Sequence, residues 1–495
     1  MSGRDSAYTS IPDAGFNLPM SSTFLPEMLT FLEMAAKYDF VPIYSERTYD
    51  ELDITVLYEK LNPNPPSCLL ESLAGSENGR YSIIGCQAFH TISFPVKGYT
   101  SSVDPLNQFL SQHKVPPLDL IPFYGGLMGF WNYDLGPEIH NLESRHKDNP
   151  TQFFFVPRMV IVYDRFSKIL RVLIWIEKEQ ATTENYGVAC HDIAGIMDLA
   201  SQCNHRPNFA KKPVAQPEGE FEVNIPPACY HSMVKTAKDH IRVGDIFQVV
   251  LSRRWKRLAK VPPWKVYLSL REVNPSPYMF FLDTGNLALF GSSPEMLARV
   301  INRRVTTRPI AGTRKITGSP TKDAELKREL LSDDKERAEH LMLVDLGRND
   351  VGRVCRAGTV KVREFMIIES CSHVVHLVST VDGDLKPSVS SLQAFLSCFP
   401  AGTLTGAPKR KAMEIIYNLE EDSRGPYGGG IGYLGFNGDL DACITIRAVT
   451  CLDGYFYVQS GAGIVADSDP ELEEQETVNK AKALMIAILD AEGKI

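Results

Sequence analysis

At 495 residues, 44% hydrophobic and 23% charged, the chain has the composition of a globular protein that can bury a large interior, as two or three domains or as one large enzyme core with an extension. Its net charge of −8 provides no broad basic field for nucleic acid or an anionic membrane, and no stretch approaches the roughly 20 apolar residues of a membrane span. Ten cysteines, from Cys68 to Cys451, include no C-x-x-C pair, which argues against a disulfide framework and a zinc site; a reduced cytoplasmic setting and small-molecule or protein partners are expected.

Residues 1–25, rich in Ser, Pro and Gly and without the apolar core of a signal peptide, are expected to form a flexible, untargeted arm. Glu27 to Tyr38 has the spacing of a short amphipathic helix. From Val41 to Val172 the runs CLLES, YSIIGC, TISFPV, GGLMGFWNYD and FFFVPRMVIVYD alternate with Pro and Gly punctuation and predict strands of a mostly antiparallel sheet. KILRVLIWIEKE adds a strand, and Asn185 to Gln202 predicts a helix. Residues 26–202 therefore read as an N-terminal region, and residues 203–227, polar and aperiodic, as a linker.

In residues 228–495, Ala228 to Gly244 predicts a helix and QVVLSRRW a strand, with strands and helices alternating around Trp264 to Glu272 and Asp323 to Leu346. Asn437-Gly438 and Asp453-Gly454 turns join Gly430 to Phe436, Ala442 to Cys451 and Tyr455 to Ser460 into a three-stranded meander. Asp469 caps a final helix that has Pro470 at its first position.

Two acidic pairs stand out. Glu336 and Glu339 share a helix face at i and i+3, and the following Leu341 to Val344 is apolar without interruption, so this turn is expected to be buried on all sides. Glu473 and Glu476 repeat the spacing in the last helix. If the two faces converge, their oxygens suit one hard divalent ion such as Mg²⁺. Structural alternatives exist for each: Glu336 also fits a capping box after Asp333, Glu473 also favours the positive end of its helix, and Glu476 also fits an i, i+4 ion pair with Lys480.

Gly430 to Gly435 matches G-x-G-x-x-G, the only feature that speaks for a nucleotide-dependent oxidoreductase. The fingerprint needs a helix after its turn, and here another strand follows, so the glycines are read as allowing close backbone approach. GTLTGAPK, Gly402 to Lys409, lacks the spacing of a phosphate loop. Strand alternation places Cys443, Thr445 and Arg447 on one face, where Arg447 is either a solvated edge charge or a fork for a carboxylate. Gly461-Ala462-Gly463 reads as a turn or as an anion-binding nest. His373 and His376 fall in a predicted strand, where a hydrogen-bonded core histidine competes with an acid–base role.

Taken together, PIAGT, AEHLMLVDLGRND, SHVVHLVS, FPAGTLTGAPK, GGGIGYLGF, ITIR, SGAGIVADSDPE and ETVNKA resemble the chorismate-utilising enzyme family, in its branch of anthranilate synthase large subunits. The resemblance covers nearly all of the chain from about residue 25 onward. It implies an α+β fold in which long antiparallel β-sheets form a sandwich flanked by helices. It also implies Mg²⁺-dependent lyase chemistry: ammonia adds at ring C2 of chorismate, the C4 hydroxyl leaves, and pyruvate is eliminated to give anthranilate for tryptophan synthesis. Glu339 and Glu476 match the direct metal ligands, with Glu336 and Glu473 beside them. Gly312, Thr313, Tyr427, Arg447, Gly461, Ala462, Gly463 and Lys480 match the substrate-binding set. Glu295 matches the acid that protonates the departing hydroxyl, and His376 matches the histidine near the ring.

Two departures from sister enzymes sharpen the expectation. Gln248 of QVVL stands where isochorismate and salicylate synthases carry a water-activating lysine. Ala311 of PIAGT stands where aminodeoxychorismate synthases carry a lysine nucleophile. Glu71 and Ser72 of LLES, with Pro277, Tyr278 and Met279 of NPSPYM, resemble the two halves of a tryptophan feedback pocket. No cysteine lies in a G-x-C-x-G elbow, so ammonia is expected from a separate glutamine amidotransferase subunit in a hetero-oligomer. A catalytically silent regulatory subunit is the remaining alternative, and Glu295, Glu339 and Glu476 argue against it.

Overall fold

The computed structural model describes residues 23–73, 80–96, 99, 104–118, 120, 122–142, 151–203, 217–370 and 374–493. The expected N-terminal arm therefore lies almost wholly outside the described residues, as does most of the expected linker. The first part of the chain forms α1 (Met28–Ala35), β1 (Phe40–Thr48), α2 (Ile54–Leu61), β2 (Ser67–Glu71), β3 (Tyr81–Pro95), α3 (Pro105–Gln112), β4 (Gly126–Trp131), α4 (Leu135–Ile139), β5 (Thr151–Asp164), β6 (Ile169–Glu177) and α5 (Thr183–Ala200). Then come β7 (Glu222–Val223), α6 (Pro227–Arg242), β8 (Gln248–Leu258), α7 (Pro263–Val273), β9 (Tyr278–Asp283), β10 (Leu287–Ser293), β11 (Met296–Ile301), β12 (Arg304–Thr307), β13 (Ile310–Lys315), α8 (Pro320–Ser332) and α9 (Asp334–Val354). The chain continues through β14 (Lys361–Ser370), β15 (Val374–Asp384), α10 (Ser391–Cys398), α11 (Gly402–Thr405), β16 (Gly406–Ala407), α12 (Lys409–Leu419), β17 (Gly430–Gly435), β18 (Leu440–Ile444), β19 (Ala448–Leu452), β20 (Tyr455–Ile464) and α13 (Pro470–Ala491).

The strand pairings among these elements are antiparallel and follow two courses that share β3 and β5. One runs β1, β6, β5, β3, β2, β9, β10, β19, β20, β8. The other leaves β5 through β4, β17, β18, β11, β12 and β15, which carries β13 and β14. Phe155, Trp175, Phe280, Leu289, Ile431 and Tyr433, drawn from both courses, form one buried cluster. α5, α7 and α13 close a second core around Ile161, Phe281 and Met485, and α9 and α10 close a third around Trp131, Phe395 and Val344. This is an α+β architecture of packed antiparallel sheets with helices outside, because each sheet has an apolar face that only another layer can cover.

The chain crosses between the courses twice in adjacent places. β10 pairs with β9 and β19, whereas β11 pairs with β12 and β18, so the switch falls at Pro294-Glu295. β18 and β19 part in the same way at Thr445-Ile446-Arg447. The expected continuous strand Ala442 to Cys451 is thus two strands in two sheets, and the meander is broken at the point where Arg447 adopts φ 51°. Alternation cannot assign Arg447 a face, since the strand it assumes stops at Ile444.

Other boundaries follow local chemistry. Asp333 divides the expected helix Asp323 to Leu346 by capping α9, its side chain accepting from the N–H groups of Lys335 and Glu336. Asp469 does the same for α13, with Pro470 next. Leu343 and Val344 are buried as expected, but Leu341 is 53% exposed, so the apolar turn of α9 keeps a solvent side. The end of the expected linker is ordered against the sheet, Glu222 and Val223 pairing with Lys256 and Trp255 of β8. Among the described residues no helix is long and apolar enough to cross a membrane.

Candidate active site

The two crossovers are tied together by main-chain hydrogen bonds: Ser292 N–H donates to Arg447 O at 2.9 Å and Ile444 N–H donates to Glu295 O at 3.0 Å. The two turns that carry Glu295 and Arg447 are therefore held together at the seam through their main chains. Glu295 is buried, and burial pushes its carboxyl up to about 8 against the opposing pull of the Thr403 hydroxyl, Lys480 and the Ile310 backbone. At neutral pH this side chain holds its proton, which suits an acid. Thr403 Oγ1 donates to Glu295 Oε1 at 3.1 Å.

Arg447 donates to Lys480 O, and among the described residues no carboxylate lies within ion-pair distance of it. Burial disfavours its charge, while Tyr427 and Glu476 support it; arginine remains protonated, so this fork is a ready partner for a ligand carboxylate. Lys480 Nζ lies 2.5 Å from Glu476 Oε1 and donates to Gly461 O at 3.0 Å. The i, i+4 pairing of Glu476 with Lys480 therefore exists, as does the capping of α9 by Asp333.

Gly461 to Gly463 belong to an extended strand and not to a turn or nest. β20 pairs with β8 throughout but with β19 only over Tyr455 to Val458, which leaves one main-chain edge uncovered by a strand at Gly461 to Gly463. Close approach explains the small residues. A Cβ at Gly461 would lie 2.7 Å from Leu251 O and 3.0 Å from the Tyr427 hydroxyl, and one at Gly463 would lie 2.5 Å from Gln248 Nε2. Tyr427 is buried, with the Arg424 guanidinium over its ring at 5.8 Å.

α9 and α13 bring the two acidic pairs to the same neighbourhood. Glu339 accepts from Gln248 Nε2 at 3.1 Å; burial raises its pKa, the Glu336 and Glu476 carboxylates add to the rise, and Gln248 and Lys480 oppose it. Glu336 accepts from Arg314 at 3.0 Å, in a fork that also engages Asp333 and Glu329. Burial raises Glu473 as well, with Glu476 contributing and Ser468 opposing. Each acidic residue thus has a protein partner, and among the described residues no three His, Cys, Asp or Glu side chains are grouped as a metal cage.

His376 Nδ1–H donates to Gly312 O at 3.1 Å, which assigns its tautomer and leaves Nε2 as the acceptor, and burial keeps the ring neutral by lowering its pKa. Thr313 pairs with His376 in the β13–β15 ladder. Gly312 has φ 64°, and a Cβ there would meet Leu330 at 2.7 Å. His373 lies outside the described residues.

The expected effector residues also come together. Antiparallel pairing of β2 with β9 sets Glu71 opposite Met279, and Glu71, Ser72, Pro277, Tyr278 and Met279 line one cavity of about 130 Å³ whose wall includes Ile310 and His376. Glu71 is fully enclosed by Arg165 at 2.9 Å, Arg271 at 3.0 Å and Tyr267 at 2.8 Å. The Ser72 hydroxyl is buried with no hydrogen-bond partner.

Sequence reasoning missed Thr403. Its segment belongs to the family motif FPAGTLTGAPK, but no role for Thr403 follows from that resemblance, and its meeting with Glu295 across 108 positions leaves no local signal. The G-x-G-x-x-G glycines lie in β17, paired on both edges, where a Cβ at Gly432 would lie 2.0 Å from Asp441 O.

A buried acid and an unpaired arginine at a sheet seam, with acidic helices beside them, define a site for an anionic small molecule. A sequence model described as chorismate binding enzyme matches residues 66–486, and the chain belongs to that family of chorismate-utilising enzymes. It is 40% identical over 477 residues, 91% of this chain and 94% of the relative, to anthranilate synthase component 1 of Cereibacter sphaeroides. It is 41% identical to that of Acetivibrio thermocellus, covering 94% of this chain and 99% of the relative. The crystal structure of anthranilate synthase component I from Streptococcus pneumoniae TIGR4 superposes with a TM-score of 0.73 at 36% identity, covering 83% of this chain and 93% of that one. The menaquinone-specific isochorismate synthase of Escherichia coli shares the fold, with a TM-score of 0.70 at 19% identity over 93% of this chain and 98% of that one.

Proposed function

We propose that the chain is the catalytic large subunit of an anthranilate synthase, an oxo-acid lyase that converts chorismate and ammonia to anthranilate, pyruvate and water. The observation that carries the chemical part is Glu295, a buried carboxyl that holds its proton at neutral pH, on the crossover adjoining the one that carries Arg447. In the mechanism, Arg447, Lys480 and the open edge of β20 bind the two carboxylates of chorismate. Ammonia forms its bond to C2 as the C4–O bond breaks, and Glu295 passes its proton to the departing oxygen, which leaves as water. In the second step the C3–O bond breaks as C2 loses its proton, and His376, with its Nδ1–H on Gly312 O, would pass that proton to the methylene carbon of the leaving enolpyruvate, which departs as pyruvate. Gln248 supports amination over hydration: it carries no amine to activate water and is engaged with Glu339.

Mg²⁺ is part of this reading. Glu336, Glu339, Glu473 and Glu476 supply hard oxygen donors; burial raises Glu339 and Glu473, the neighbouring carboxylates add to the rise, and a divalent cation would relieve that added repulsion, so the donor set fits. When bound, the ion would orient the ring carboxylate and draw off charge as the hydroxyl leaves. Glu339 and Glu476 would hold it, with Glu336 and Glu473 behind them.

A glutamine amidotransferase subunit would supply ammonia, and L-tryptophan would act as a feedback inhibitor from the Glu71 to Met279 cavity, by preferring a state less able to convert chorismate. The test is product analysis of the purified chain with chorismate and Mg²⁺, first with ammonium and then with glutamine. Anthranilate from ammonium alone supports both the reaction and the missing partner. A 4-amino product would move the chain to the aminodeoxychorismate branch, and no product would remove the catalytic reading.

A further inference from the structure

The four-residue helix α11 carries Thr403 and is flanked by two buried ion pairs, Asp350–Lys409 and Glu420–Arg424. Lys409 Nζ, 8% exposed, donates to Asp350 Oδ2 at 2.6 Å and to Cys398 O at 2.8 Å, joining the start of α12 to the end of α9 and to α10. Ser397 donates to Asp350 O. From the other side Arg424 donates to Leu404 O at 2.7 Å while paired with Glu420 at 2.7 Å. The Asp350–Lys409 pair is a poor investment in stability: Asp350 is 5% exposed, and its Oδ1 has no hydrogen-bond partner. Apolar side chains of similar volume commonly serve a buried position as well as such a pair does. What an ion pair supplies, and apolar packing does not, is a directed anchor.

We propose that the Asp350–Lys409 pair is a positioning device for the acid, setting α11 so that the Thr403 hydroxyl engages Oε1 of Glu295 and leaves the transferable proton on Oε2. The inference rests on the reading of Glu295 as the acid. The carbonyl oxygen of a protonated carboxyl is the better acceptor, so the Thr403 bond to Oε1 favours the proton on Oε2. The groups facing Glu295 from the neighbouring elements are Thr403 of α11, the Ile310 backbone of β13 and Lys480 of α13. Lys480 is the charged one, and it is already paired with Glu476. The catalytic step is unchanged: the proton leaves Oε2, the C4–O bond breaks as C2–N forms, and water departs.

The experiment uses the full chain with chorismate, Mg²⁺ and ammonium, measuring kcat, KM and the pH profile of kcat for Thr403→Val, Thr403→Ser and the double replacement Asp350→Leu with Lys409→Met. Thr403→Val is expected to lower kcat about tenfold, to leave KM for chorismate within about twofold, and to move the alkaline limb to higher pH, because a bond that favours the carboxylate is lost. Serine should restore both. The double variant should unfold at the wild-type temperature or above and show the same displaced limb; Lys409→Arg, which keeps the charge but changes the reach, should displace it in the same direction if the double variant does not fold. A limb that stays in place in folded Asp350→Leu/Lys409→Met, or in Lys409→Arg, reduces the pair to packing, and an unmoved limb in Thr403→Val overturns the whole proposal. Substantial turnover by Glu295→Gln would instead remove the underlying reading of the acid, whatever the limbs do.

Discussion

Gln248 Nε2 donates to Glu339 Oε1 at 3.1 Å, joining the first residue of β8 to α9 across 91 positions of sequence. Gln248 Oε1 is buried without a partner, so the amide's orientation is set from its nitrogen end, by this bond. Gln248→Met would remove the neutral donor that opposes the rise in the Glu339 pKa. The concentration of Mg²⁺ for half-maximal turnover is expected to increase, and to increase more at acid than at alkaline pH, because the loss raises the Glu339 pKa further. Glu339→Gln should abolish Mg²⁺-dependent turnover, and near-normal activity in that variant would take Glu339 out of the metal site. Metal titrations of anthranilate formation at two pH values check both.

Glu295 links activity to stability with opposite signs. Folding moves its carboxyl from 4.5 to about 8, so between those values the native state holds a proton that the unfolded chain has released. Its contribution is fully present below about 4.5 and is lost as pH rises through about 8. Glu295→Gln cannot ionise; it should match the wild type in unfolding free energy at pH 4 and exceed it at pH 9 by something on the order of 5 kcal/mol, while losing turnover at both. Urea unfolding at the two pH values decides the matter, and equal differences at both would contradict the buried, protonated state.

Two glycines to alanine should behave differently. A Cβ at Gly432 would lie 2.0 Å from the Asp441 backbone oxygen in a strand paired on both edges, and main chain there cannot yield without parting the ladder. Gly432→Ala should cost about 3 kcal/mol or more. A Cβ at Gly463 would meet only the far end of the Gln248 side chain, at 2.5 Å. Gly463→Ala should cost under about 1 kcal/mol in stability yet weaken turnover by driving Gln248 off Glu339. Thermal unfolding and kcat measured on both variants separate the outcomes.

Ser72 has a buried hydroxyl without a partner on the wall of the cavity that also reaches His376. Ser72→Leu fills the cavity and removes the hydroxyl, so the tryptophan concentration for half-inhibition should rise at least about tenfold, a change near 1.4 kcal/mol. An unchanged response to tryptophan in steady-state assays would place the effector elsewhere.

Much of this was legible in one dimension because its cause is local. Asp469-Pro470 starts α13 through bonds to the next two or three backbone amides, and the i, i+3 spacing puts Glu336 with Glu339, and Glu473 with Glu476, on common faces. The hairpin turn after Gly435 was enough to reject a dinucleotide loop, and β17 is a strand. The resemblance to the family points to Glu295, Arg447 and Lys480 from the sequence alone.

Tertiary structure alone decided how these residues act. Arg447 lies outside both strands because β18 and β19 pair in different courses, and strand periodicity carries no information about where a chain changes course. Burial raises the Glu295 carboxyl above an ordinary glutamate's, and Thr403 can reach it only after the 107 residues between them have folded around the seam. Sequence specified the chemical groups and their local elements; their proton states and partners came from long-range packing, since desolvation and hydrogen bonding depend on which distant segments close over each group.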